Sequence, residues 1–138
     1  MTALSASPVR IGDGLLRAAL RLDAAASGAL GASAAVTAPL LTDFLGIPAG
    51  VLVGVGIFLV LFAAGLLMVA RPTVSPAAVR TVLIVNVSWA AAGVLAVVIG
   101  WSALTAPGVA VVLVQAAAVA IFAELQWAGL RRATGSSN

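Results

Sequence analysis

Ala49 to Ala70 reads AGVLVGVGIFLVLFAAGLLMVA, 22 residues without a charge. A helix needs roughly 20 apolar residues to cross about 30 Å of hydrocarbon. Arg71-Pro72 ends the stretch, because proline cannot continue the helical hydrogen-bond ladder. Working outward, Arg71 to Arg80 is a short polar loop holding Pro72, Ser75 and Pro76. Thr81 to Leu104 and Pro107 to Leu130 are the next two spans, with Pro107 suited to a first helical turn. On the N-terminal side, Leu15 to Thr42 supplies another span. Its apolar part, Ala24 to Leu41, is rich in Ala, Gly and Ser. Its first turns, Leu15 to Leu22, are amphipathic. The expected fold is all-α: a four-helix transmembrane bundle with spans over 15–42, 49–70, 81–104 and 107–130. Residues 15–132 form the membrane domain, 1–14 an N-terminal cytoplasmic tail and 133–138 a C-terminal one.

Composition supports bilayer lipid as the solvent. Of 138 residues, 63% are hydrophobic and 8% charged, against about 25% charged in soluble domains. The competing reading is an unusually apolar soluble subunit. The chain contains no Cys, His, Lys or Tyr. Thiol–disulfide exchange is thereby excluded. So are Ser-His-Asp, Cys-His and Lys Schiff-base catalysis. Only Met1 and Met68 remain as haem ligands, and no cofactor is expected. An enzyme would have only carboxylates for acid–base work.

The seven Arg fix the expected topology. Arg10, Arg17 and Arg21 precede the first span, Arg71 and Arg80 bracket the middle loop, and Arg131 and Arg132 follow the last span. Thr42 to Pro48 and Thr105-Ala106 carry no basic residue. All seven fall on one side of a four-span arrangement, which the positive-inside rule makes the cytoplasm. The expected location is the cytoplasmic (inner) membrane, with both termini cytoplasmic. A signal peptide is the competing reading of the N-terminus, with Ala32-Ser33-Ala34 as a cleavage-site mimic, but apolar sequence continues beyond it. The basic excess points to anionic headgroups rather than nucleic acid.

The two halves also read as parallel repeats of one helical hairpin. Leu41-Thr42 and Leu104-Thr105 end the odd spans, and equal steps back from each Thr reach Asp23 and Asn86. Phe62-Ala63…Arg71 matches Phe122-Ala123…Arg131 at constant spacing. Chance similarity in an Ala- and Val-rich chain is the alternative.

Polar residues inside a span are costly and need a reason. Asp23, Asn86 and Glu124 each lie six or seven residues from an Arg, roughly 9–10 Å inside the basic boundary. Gln126 lies just below. These four form the candidate intramembrane polar site. Helical phase sets Glu124 and Gln126 on opposite sides of their helix, so both cannot face the bundle centre. The competing role is an interhelical hydrogen bond or ion pair that fixes packing, Glu124 pairing with Arg131 or an Arg of the first span. Arg10, Arg17 and Arg21 are candidate anionic-lipid contacts, with orientation signalling and snorkelling as the plainer role. Small residues recur at four-residue steps, including Ala24-Gly28-Ala32, Ser27-Gly31-Ala35 and Gly50-Gly54. They suit close helix packing within one bundle or a homo- or hetero-oligomer.

Around Arg21-Leu22-Asp23, Asn86-Val87-Ser88-Trp89 and Phe122 to Arg132, the chain resembles small uncharacterised four-span membrane proteins of high-GC bacteria. The resemblance covers residues 15–132 and implies no activity. In span count the chain is also similar to DoxX-like proteins and small multidrug transporters. The latter place an essential Glu in the first span, where this chain offers only Asp23. The leading expectation is a non-enzymatic membrane subunit or lipid-interacting scaffold. The alternative is a proton-coupled small-molecule transporter or exporter acting as a dimer through Glu124.

Overall fold

A computed structural model describes residues 13–135. The expected tails lie outside the described residues over 1–12 and 136–138. The protein is an all-α four-helix bundle: α1 (Asp13–Leu45), α2 (Ala49–Val69), α3 (Pro76–Gly100) and α4 (Ala106–Gly135). All four helices are long and apolar enough to cross a membrane, the build of a multi-pass membrane protein. Their outward surface is studded with exposed Leu40, Leu61, Val98, Ile99 and Val114. No hydrophobic effect drives helices together in lipid, so small residues and polar contacts must do so.

Local chemistry sets the helix ends. Gly46 has φ of 69°, and its N–H donates to Thr42 O at 2.8 Å to close α1. Only glycine adopts that conformation without strain, and a Cβ there would strike the Ala103 carbonyl. The Ser75 hydroxyl accepts from Ala78 N, and Pro76 sits in the first turn of α3. That cap starts α3 ahead of the expected Thr81. Its far end stops at Gly100, and residues 101–104 form a turn instead of helix. The Thr105 hydroxyl accepts from Gly108 N and donates to Phe44 O at 2.6 Å, tying the start of α4 to the end of α1. α4 runs on to Gly135, past the expected boundary at residue 132.

The helices pack in the ring order α2–α1–α4–α3, and α2 and α3 barely touch. The α1–α2 seam is the closest. A Cβ on Gly31 would lie 2.6 Å from Gly56 O and 2.8 Å from the Leu59 Cβ. On α4, a Cβ on Gly129 would lie 2.9 Å from the Leu16 Cα. At the Arg-bearing end, Leu16, Leu20, Leu66, Val79 and Leu130 from all four helices close the core. Gly50 and Gly54 face open space, so this GxxxG is not used within the bundle.

Candidate functional site

Above that apolar plug lies one polar layer. Asp23 and Gln126 are 0% exposed and Asn86 2%. They come from α1, α4 and α3 respectively. Asp23 Oδ2 accepts from Asn86 Nδ2 at 2.8 Å and from Gln126 Nε2 at 2.7 Å. Asn86 Nδ2 also donates to Gln126 Oε1 at 3.1 Å, closing a three-membered ring. Asp23 Oδ1 accepts from the Ser27 hydroxyl, one turn along α1, at 3.0 Å. α1 and α3 share no backbone contact, so the layer links them across the bundle diagonal. Asp23 and Asn86, the two positions that the expected hairpin repeat would equate, meet directly.

Both carboxylate oxygens are engaged, and no Arg lies within ion-pairing reach of Asp23 among the described residues. Two carboxamides and a hydroxyl supply the three hydrogen bonds instead. A buried carboxylate without a cation needs such donors, since an unpaired one would bear the full desolvation penalty. The layer therefore acts as a clasp across three helices.

Glu124 does not belong to it. The residue is exposed on the outer surface of α4. Gln126 takes the inward position, because Ala123, Gln126 and Gly129 share the side of α4 that is buried. Glu124, two residues from Gln126, is turned about 160° away. Neither does it pair with Arg131, whose guanidinium stacks over Trp127 at 4.7 Å. In a single copy of the chain Glu124 therefore faces outward, away from the layer formed by Asp23, Asn86 and Gln126. Ser27 is the member that sequence reasoning missed. Its signal was the i, i+4 spacing from Asp23, hidden because Ser27 also fits the small-residue face of α1.

Arg21 is exposed and Arg17 partly buried. The Nε of Arg17 is buried with no hydrogen-bond partner among the described residues. Arg10 lies outside the described residues. Trp89 stacks on Phe58 at 5.0 Å, joining α3 to α2, whereas Trp101 and Trp127 are exposed. Among the described residues no group of His, Cys, Asp and Glu gathers that could hold a metal ion. Neither a known protein family, nor a curated protein, nor a solved structure matches the chain.

Proposed function

We propose that this chain is a non-enzymatic protein of the cytoplasmic membrane, both termini in the cytoplasm, serving as a membrane subunit or lipid-interacting scaffold. The observation that carries this reading is the closure of the polar layer upon itself. The one acid buried in the bundle core among the described residues is saturated by Ser27, Asn86 and Gln126, which leaves it holding helices rather than facing a substrate. Outside the layer, the six described Arg gather at or near one end of the bundle, and the buried Nε of Arg17 lacks an acceptor among the described residues. Arg17 is only partly buried, and a lipid phosphate at the membrane surface is a fitting acceptor for the rest of its guanidinium.

Purification in mild detergent, followed by mass spectrometry of retained lipid and protein, tests the proposal. Anionic phospholipid should be enriched over its share of the membrane, and Arg17→Gln/Arg21→Gln should reduce that enrichment. A clean monomer with no partner and no lipid preference would contradict it.

A further inference from the structure

Arg21 and Glu124 are exposed charges beside the polar layer, and neither has a hydrogen-bond or ion-pair partner among the described residues. One contact fixes where both stand. Leu16 of α1 packs against Gly129 of α4, where an added Cβ would lie 2.9 Å from the Leu16 Cα. Arg21 lies five residues after Leu16, and Glu124 five residues before Gly129. The two helices run in opposite directions, so both steps lead about 7.5 Å away from the basic end. Arg21 and Glu124 therefore stand at one depth. Five residues also turn each side chain about 140° from the α1–α4 seam. Arg21 shares the side of α1 that carries Gly28, which meets Ala63 of α2. Glu124 lies on the α3 side of α4, about 80° from Ala116, which meets Gly93 of α3. The base and the acid thus occupy opposite flanks of one bundle and do not reach each other within it.

We propose that copies of this chain associate head to tail in the membrane plane, Arg21 of one copy pairing with Glu124 of the next. The inference rests on the membrane-subunit reading above and names the partner as a second copy. Charge selects that partner. Glu124 sits about 10 Å inside the basic boundary, where lipid tails offer no donor. Its Cβ tilts toward the start of α4, away from the headgroups. Copies inserted in the same orientation hold Arg21 at the depth of Glu124, so each acid meets a base that can bind it through two hydrogen bonds. A two-fold pairing of the α4 faces would set Glu124 against Glu124 instead.

The two faces also fit in shape. With Arg21 opposite Glu124 and the helices antiparallel, α1 of one copy brings Ala18 to Trp127 of the next, Ala25 to Ala120 and Ala32 to Leu113. All six are exposed within a single copy. Large residues of α4 meet small ones of α1, and small meets small beside the charge pair, which lets the helices approach closely. Because the two flanks differ, the contact is heterologous: it closes into a ring or continues as a row. Arg17 is left for the lipid phosphate.

The chain has no Cys, so introduced cysteines report this contact alone. Ala25→Cys and Ala120→Cys copies, carrying different tags, are co-expressed and oxidised in native membranes. A disulfide needs Cα atoms about 4.4–6.8 Å apart, so a mixed dimer should form and neither variant should link to itself. Both substitutions in one chain should give a ladder extending beyond the dimer. Arg21→Gln and Glu124→Gln should each slow cross-linking about tenfold, and Arg21→Glu/Glu124→Arg should restore it. Should a charge variant fail to insert, the cysteine pair alone decides. No mixed disulfide above the single-variant background, or an inserted charge swap that restores nothing, overturns the proposal. Retention of a different membrane protein on the unlinked chain then leaves the membrane-subunit reading standing, whereas a clean monomer without lipid preference removes both.

Discussion

At the residue scale, the fold turns on Asp23 and the donors it draws from three helices. Deleting one partner and deleting all of them should have opposite consequences. Asp23→Ala leaves the Asn86 and Gln126 amides without their acceptor, at a cost of about 1–3 kcal/mol. Replacing Asp23, Asn86 and Gln126 together by Leu removes the whole ring at once, leaving only the Ser27 hydroxyl, and should recover much of that loss. Unfolding titrations in mixed micelles compare the two, and a triple variant weaker than Asp23→Ala would refute a closed, self-satisfied ring. Much of this layer was legible in the sequence. Depth follows from counting residues to Arg17, Arg80 and Arg131, which places Asp23, Asn86 and Glu124 together and Gln126 just below. Direction was only half legible. Phase requires Glu124 and Gln126 to oppose one another, but which of them faces inward depends on which side of α4 meets α1 and α3. That is a tertiary fact. Gly129 against Leu16 and Ala116 against Gly93 decide it in favour of Gln126.

At the scale of elements, small residues have different duties that their spacing alone does not separate. Gly31 and Gly56 meet backbone to backbone at the α1–α2 seam, while Gly50 and Gly54 face open space. Gly31→Leu should therefore cost about 1–3 kcal/mol through overpacking, and Gly50→Leu should leave bundle stability within about 0.5 kcal/mol. Thermal unfolding followed by helicity distinguishes them, and equal losses would mean that Gly50 also packs within the bundle. The helix count can be read from charge-free length, and the connectors from proline and arginine. The start of α3 is harder to read, because the charge on Arg80 looks like a boundary. An Arg one turn inside a helix can snorkel to the interface, so the Ser75 cap, not the charge, sets the boundary.

At the scale of the whole molecule, the arrangement is a three-helix clasp with α2 laid along α1. α3 meets α2 chiefly at the Phe58–Trp89 stack and the apolar plug below it. The six described Arg all lie at or near one end of the bundle, and Asp43 lies near the other. By the positive-inside rule, the proposed placement puts this basic end in the cytoplasm. The proposed location of both termini rests on that distribution. Reporter fusions test it most directly. Fusions at Ser75 and Asn138 should report the cytoplasm and one at Asp43 the exterior. A cytoplasmic signal at Asp43, or an exterior one at either of the other two, would contradict a four-span membrane bundle with both termini inside.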